Sequence, residues 1–284
     1  MEACRESAGR PVADSAAGTG LVRRFVPSMR TAAEARSRAQ RDLRMAIDDR
    51  AFELRFQPLV APSGAVVAFE ALARWNHPSH GWISPSSFIA VAEETGLIVP
   101  LGDQLLDQAL VVAATLPERI RIAVNVAPAQ LVSVGFVDRF RSALLLHGVT
   151  PDRIDVEVTE STVVDPNARA TIEELRRSGC GVAVDDFGTG YSSFATLQDL
   201  PITQLKIDRE FVRRLDLPGH ARARSIVQAI VDVADASGLI CVAEGVETEQ
   251  QRAIVEELGC IVQGYLEAQP MPASEIPAYL ARRT

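Results

Sequence analysis

The chain has 284 residues, of which 47% are apolar and 23% charged, and its formal net charge is −8 at pH 7. This composition excludes disorder over most of the chain, because so apolar a sequence can offset the entropy lost on folding. No window of about 20 residues lacks charged or polar breaks, so no membrane span is expected. The acidic balance argues against DNA, RNA or an anionic membrane surface as partner, since each is bound through a basic face.

Two regions are predicted along the chain, a flexible tail and linker over residues 1–36 and a folded domain over residues 37–284. Residues 31–50 are helix formers with apolar residues near their end, so an entry helix or a connector is expected there. The first residues show no basic segment followed by an apolar stretch, so no secretory signal is predicted. The four cysteines form no Cys-x-x-Cys pair, which favours a reducing, cytoplasmic location.

Eight short β-branched or apolar runs alternate with helical patterns from residue 51 onward. They cover residues 52–60, 65–73, 121–126, 154–158, 181–184, 202–207, 239–243 and 260–263. Eight strands interleaved with helices predict an α/β fold, a TIM-like (β/α)8 barrel. Only residues 61–64 separate the first two runs. That is hairpin spacing, so one strand of the barrel should run antiparallel to its neighbour.

The intervening helices have recognisable start and stop signals. Asp165-Pro166 opens a helix that ends at Gly179, and Thr248 with Gln251 forms a capping box. Two apolar faces at helical spacing are expected to pack on the barrel. They consist of Leu105, Ala109, Val112 and Ala113 in one helix, and of Ile226, Ile230 and Val233 in another.

Polar or charged side chains recur where the predicted strands end. They are Glu70, Asn125, Glu157, Asp185-Asp186, Lys206, Glu244 and Gln263. The carboxyl ends of parallel barrel strands converge on one mouth, where converging carboxylates repel one another unless a cation lies among them. The histidines lack zinc-site spacing. The pattern therefore predicts a divalent-metal site built from oxygen ligands.

Asp185-Asp186 is the strongest single signal. Two adjacent acids at a strand end can reach two metals, with one side chain bridging, and two-metal sites are usual for phosphodiester cleavage. The loop 187–193 follows directly, with two glycines for a tight turn and hydroxyls that can bind phosphate. Each acid taken singly is ordinarily a solvated loop residue or a helix cap. Their repetition at successive strand ends is what favours the metal site.

A specific family pattern begins at Glu70-Ala71-Leu72, which is followed by Ala73-Arg74-Trp75. Further motifs lie at residues 57–60, 77–78, 83–85, 92–96, 124–126, 157–161, 185–193, 205–208, 243–248 and 263–265. In this order, over about residues 40–284, the series resembles the EAL domains, which are bacterial cyclic-di-GMP phosphodiesterases. The resemblance implies a barrel with one antiparallel strand, in agreement with the hairpin.

The resemblance also implies roles for the strand-end residues. The expected ligands of a first metal are Glu70, Asn125, Glu157 and Asp185. Asp185 would bridge to a second metal, which Asp186 would also ligate. Lys206 would position or polarise the attacking water, and Glu244 would serve either as general base or as part of the metal site. Glu160 would brace the loop 186–193, and Gln263 would order the water and metal shell.

Five residues are expected, from the same resemblance, to hold the substrate: Gln57, Leu72, Arg74, Asp208 and Glu247. Arg74 would contact a phosphate, and the others would surround ribose and guanine. Two departures from the family pattern, Glu210 and the segment 267–269 (Glu-Ala-Gln), add acid or remove base near the predicted mouth. They bear on substrate affinity rather than on the metal site.

The implied function is hydrolysis of cyclic-di-GMP to linear 5′-pGpG with two Mg²⁺ or Mn²⁺ ions, and Ca²⁺ is expected to inhibit. The alternative is a non-catalytic cyclic-di-GMP receptor, although degenerate members usually lose metal ligands that are all present here. A metal-dependent lyase or enolase-like barrel would not explain Arg74 or residues 185–193. Residues 21–44 resemble a GGDEF–EAL linker, so an upstream GGDEF or sensor domain and a homodimer are the partners considered.

Overall fold

The structure, a computed structural model, describes residues 27–188, 200–217, 219 and 221–283. The predicted tail as far as residue 26 and the predicted loop residues 189–193 lie outside these ranges. A helix, α1, spans Pro27–Asp48 where helix formers were recognised. The domain boundary between residues 36 and 37 stays a prediction.

The strands of the described chain form one sheet. Their bounds are β1 Phe52–Val60, β2 Val66–His77, β3 Gly81–Ile83, β4 Arg121–Asn125, β5 Ile154–Thr159, β6 Gly181–Phe187, β7 Gln204–Ile207, β8 Ile240–Ala243 and β9 Ile261–Val262. The order is β1-β9-β8-β7-β6-β5-β4-β2, and β1 also pairs with β2, which closes an eight-stranded barrel. β1 is antiparallel to β2 and β9, whereas the other barrel pairs are parallel. The predicted barrel with one antiparallel strand is confirmed.

One strand was not predicted. β3 pairs with the far end of β2, outside the barrel, and β2 itself extends to His77, beyond the predicted end at residue 73. Three residues are too few to show a periodicity, and β3 begins at Gly81, whose φ of +66° shapes the turn from β2.

Helices cover the outside of the barrel. Their bounds are α2 Pro85–Thr95, α3 Ile98–Thr115, α4 Pro128–Leu131, α5 Phe136–His147, α6 Glu160–Val164, α7 Pro166–Arg177, α8 Arg209–Val212, α9 Ala221–Ala236, α10 Glu249–Glu257 and α11 Ile276–Ala281. In the described part of the chain, none of them is both long and apolar enough to cross a membrane. Strand residues such as Phe69, Ile122, Val156 and Leu205 are fully buried in the core beneath them.

The predicted helix signals are present. The Asp165 side chain accepts a hydrogen bond from the Asn167 amide at the start of α7, and Thr248 and Gln251 form the reciprocal capping box of α10. One predicted face is wrong in part. Ile226 of α9 is 39% exposed. The buried stripe of α9 is Val227, Ile230, Val231 and Ala234, which shifts the packed face by about one residue.

The strand register brings the strand ends level at one mouth of the barrel. Asn125 of β4 lies opposite Glu157 of β5, and Thr159 of β5 lies opposite Asp185 of β6. Lys206 of β7 lies opposite Val242 of β8, two residues before Glu244. The residues singled out by the sequence pattern are therefore neighbours in space.

Candidate active site

Lys206, the only lysine of the chain, lies at the centre of the barrel mouth. Lys206 is 1% exposed, and its Nζ lies 2.6 Å from Oε1 of Glu244 and 2.9 Å from Oε1 of Glu157. The same Nζ is 3.4 Å from Glu70 and 3.4 Å from Asp185. Burial alone would lower the pKa of Lys206. The carboxylates of Glu157 and Glu70, with those of Glu244 and Asp185, instead raise it well above its ordinary value.

Glu70 is the most firmly held of these carboxylates. Nδ2 of Asn125 donates to its Oε1 at 2.7 Å, and Nε2 of Gln263 donates to its Oε2 at 2.6 Å. Burial raises the pKa of Glu70, but the charge of Lys206 and these hydrogen bonds outweigh it and lower the pKa to about 2. Glu70 is therefore charged at neutral pH, with a fixed orientation.

Three further acids at the mouth have raised pKa values. Burial, together with the charge of Glu70, raises the pKa of Glu157 well above its ordinary value despite Lys206. Burial also raises the pKa of Glu244 to about 8 against the effect of Lys206, with Asp185 adding to the rise. The pKa of Asp186 rises to about 6 because of burial and the neighbouring Asp185. The single positive charge of Lys206 does not balance the negative charge that these carboxylates can carry.

The donor set fits a divalent cation. Asp185, Asp186 and Glu244 offer carboxylate oxygens that lie within 4.8 Å of one another, and Oε2 of buried Glu157 has no hydrogen-bond partner among the described residues. Oxygen ligands with surplus negative charge are the ligands that Mg²⁺, Mn²⁺ and Ca²⁺ take in proteins. Two roles were expected for Glu244, general base or part of the metal site. Its grouping with Asp185 and Asp186 favours the metal site.

Asp186 has an unusual backbone. Its φ is +53°, in the left-handed region, and its amide donates to Oδ1 of Asp185 at 3.0 Å. Its side chain is hydrogen-bonded to Asp208, which also caps α8. Residues other than glycine seldom adopt this left-handed conformation, and those that do are concentrated at functional sites. Glu160, predicted to brace the following loop, accepts a hydrogen bond at 3.3 Å from the amide of Gly188, the last described residue before residue 200.

A cavity of about 540 Å³ opens beside the acids, and its lining includes Leu72 and Arg74. The Arg74 guanidinium donates to the Ala73 carbonyl at 2.8 Å. Of the other predicted substrate residues, Gln57 and Asp208 are buried and Glu247 is exposed. As far as the chain is described, none of these three lines the cavity.

One wall of this cavity was not anticipated from the sequence. It is apolar and is built from helices α2, α3 and α5; its residues include Ile89, Ile98, Leu105, Phe136 and Phe140. Their helical spacing resembles that of any core-facing stripe, so the pattern does not distinguish a cavity wall from packed core. Lys206, in contrast, was predicted as a site residue, and it is the only lysine among the 29 lysines and arginines of the chain.

The two departures from the family pattern do not add free acid to the mouth. Glu210 pairs with Arg213 on the surface. The carboxylate of Glu267 has no exposed surface and pairs with Arg252 and Arg283. The expectation that Glu267 adds acid near the mouth is therefore wrong, because its charge is neutralised by basic residues far apart in sequence.

The comparisons with known proteins agree with this geometry. A family model described as the EAL domain matches residues 40–270. The bifunctional diguanylate cyclase/cyclic di-GMP phosphodiesterase MucR of Pseudomonas aeruginosa is 42% identical over 272 residues, which are 90% of this chain and 38% of MucR. The cyclic di-GMP phosphodiesterase NbdA of the same organism is 41% identical over 250 residues, 85% of this chain and 32% of NbdA. The chain thus spans about a third of the length of these curated relatives.

A solved structure provides the corresponding three-dimensional match. The PaMucR phosphodiesterase in its c-di-GMP complex superposes with a TM-score of 0.79 at 42% identity. The match covers 84% of this chain and 99% of that one. The barrel described above is therefore the fold of a phosphodiesterase whose structure was solved as a c-di-GMP complex.

Proposed function

The chain belongs to the EAL domain family, and we propose that it hydrolyses cyclic-di-GMP to linear 5′-pGpG with the help of two Mg²⁺ or Mn²⁺ ions. The observation that carries this proposal is the surplus of buried and half-buried carboxylates around Lys206. Glu70, Glu157, Asp185 and Glu244 all lie within 3.4 Å of one ammonium. Four carboxylates around a single ammonium repel one another, and this arrangement is costly unless a further cation binds among them.

The ions would be held by oxygens of residues at the mouth. The proposed ligands are Glu70, Asn125, Glu157, Asp185, Asp186 and Glu244. Divalent ions bound there would polarise a phosphoryl oxygen and lower the pKa of water. The hydrogen bonds that fix Glu70 and the ion pairs of Lys206 provide a preformed site, which reduces the reorganisation needed at the moment of reaction.

The chain's own residues would then organise the displacement. Water attacks one phosphorus, a new P–O bond forms, and the ester P–O3′ bond on the opposite side breaks. Lys206, whose ammonium is fixed by ion pairs, would position the water. The water's proton would pass to a carboxylate at the mouth, and the leaving oxygen would gain a proton from solvent. Glu244 is a candidate acceptor as well as a candidate ligand.

Substrate would be held across the cavity. Arg74 at its wall can bind a phosphate through charge-assisted hydrogen bonds, and Leu72 offers an apolar contact. The remaining predicted contacts to ribose and guanine are Gln57, Asp208 and Glu247. The apolar wall formed by Leu105 and Phe136 suits the face of a purine base. Glu160 would hold the segment that follows Asp186.

The second candidate is a receptor that binds cyclic-di-GMP without cleaving it. Every predicted metal ligand is present, which favours catalysis. The experiment that separates the two is incubation with cyclic-di-GMP in Mg²⁺ or Mn²⁺, followed by chromatography for pGpG. Product in either metal, absent with EDTA, supports the enzyme. Binding without product in any metal supports the receptor. A homodimer, an upstream regulatory domain and a cytoplasmic location stay predictions.

A further inference from the structure

The Glu267 side chain is fully buried on the turn after β9, where its carboxylate pairs with two arginines. Its carboxylate contacts Arg283, which follows α11, and its Oε1 lies 3.3 Å from Nη1 of Arg252 on α10. The Arg283 guanidinium also stacks on the ring of Tyr279, 5.0 Å from its centroid. These contacts tie the turn to two helices at the C-terminal end of the chain.

The residue next to Glu267 is connected to the mouth of the barrel. The carbonyl of Ala268 accepts a hydrogen bond from Nε2 of Gln57 at 3.2 Å. Oε1 of Gln57 accepts from Nε2 of Gln263 at 3.2 Å, and that same Nε2 donates to Oε2 of Glu70 at 2.6 Å. A continuous path of hydrogen bonds therefore joins the turn to Glu70.

The direction of this path is set at the turn. A carbonyl can only accept, so the amide of Gln57 must present its NH₂ group to Ala268 and its oxygen to Gln263. Gln263 must then present its NH₂ group to Gln57 and Glu70. Without the carbonyl in place the Gln57 amide is free to rotate, and the donor that orients Glu70 loses its support.

We propose that Glu267 is a positioning residue for metal binding. By pairing with Arg252 and Arg283 it fixes the turn whose Ala268 carbonyl orients Gln57 and Gln263, and so holds Glu70 ready for the cation. The inference rests on the proposed function, because only that function makes Glu70 a metal ligand. It makes the segment around Arg283 part of the support of the site.

A purely structural role would be different in its effects. If the pairs only fastened α10 and α11 to the barrel, their loss would lower stability without changing metal affinity. A matched control is the pair between Arg121 and Asp155, in which the Asp155 side chain is 3% exposed and lies near the amino end of β5, away from the mouth. Breaking that pair should lower stability alone.

The test is calorimetric titration of the full chain with Mn²⁺ in the absence of nucleotide, together with thermal unfolding. Glu267→Gln should weaken Mn²⁺ binding about three- to tenfold. This is less than the roughly 10- to 100-fold typical of a direct outer-shell partner, since two amides intervene. Arg283→Gln should shift the affinity in the same direction. Asp155→Asn should bind Mn²⁺ as the wild type does, although it unfolds at lower temperature.

Two outcomes would refute the inference alone. A folded Glu267→Gln variant with wild-type Mn²⁺ affinity would refute it while leaving the proposed function intact. So would an equal loss of affinity in Asp155→Asn, because the effect would then follow stability. If Glu267→Gln does not fold, Arg283→Gln decides by the same measurement. A wild-type chain that binds no Mn²⁺ would remove both the proposed function and this inference.

Discussion

Replacing Lys206 with alanine removes the ammonium that faces four carboxylates, those of buried Glu70 and Glu157 and of half-buried Asp185 and Glu244. Breaking a buried ion pair by removing one partner typically costs about 3–5 kcal/mol of stability, because the remaining charge is uncompensated. We expect a loss of that size in metal-free protein, and partial recovery when Mn²⁺ supplies positive charge. The turnover step should slow more, by about 100- to 1000-fold, the effect of losing one oriented donor in an active site.

The assay separates chemistry from binding. Single-turnover hydrolysis in Mn²⁺ measures the rate of the chemical step. Calorimetric titration with cyclic-di-GMP in Ca²⁺ measures the affinity for the nucleotide, which should change little. Arg121→Ala is the control, since it breaks the Asp155 pair at the other end of the barrel and should lower stability without slowing hydrolysis. A Lys206→Ala variant with a near wild-type single-turnover rate and weakened binding would show that the ammonium holds substrate instead.

Glu70→Ala should reduce hydrolysis more than about 100-fold through loss of a fixed ligand, and residual turnover above a tenth of wild type would contradict this. Arg74→Ala should weaken cyclic-di-GMP binding about 10- to 100-fold, as for a charged hydrogen bond, with single-turnover chemistry largely kept; an unchanged affinity by calorimetry would count against a phosphate contact. Ca²⁺ should support binding but not hydrolysis, because it sits about 2.3–2.6 Å from its ligands in loose geometry; comparable pGpG in Ca²⁺ and Mg²⁺ would oppose it. Mn²⁺ affinity should rise between about pH 6 and 8, since the cation displaces protons from Asp186, with a pKa of about 6, and Glu244, with a pKa of about 8. Calorimetry in buffers of different ionisation heat should detect the released protons, and a pH-independent affinity would contradict the raised pKa values.

The barrel and most of its mouth could be predicted because both depend on short-range pattern. The four-residue connection predicted at 61–64 is too short for anything but an antiparallel pair, and strands of known direction bring Glu70, Glu157 and Asp185 together. Once strand ends converge, the charge type at each end predicts the chemistry. No long-range information is needed for these conclusions.

The parts that could not be predicted depend on contacts between distant segments. The pairing of Glu267 with Arg283 joins residues 16 apart through a turn and a helix, and no periodicity reports it. The apolar cavity wall at Leu105 has the same spacing as packed core. The rotation of α9 about its own axis decides which of its residues pack on the barrel. The apolar spacing of the sequence defines that rotation only to within about one residue, and Ile226 is therefore exposed.

The proposed hydrolysis is tested most directly by running the reaction with Mn²⁺ in ¹⁸O-labelled water and analysing the products by chromatography and mass spectrometry. We expect pGpG that carries one ¹⁸O atom in its terminal phosphate, and no product when EDTA replaces the metal. If the chain binds cyclic-di-GMP but the nucleotide is recovered intact in both Mn²⁺ and Mg²⁺, the proposed hydrolysis is contradicted and the chain is a receptor.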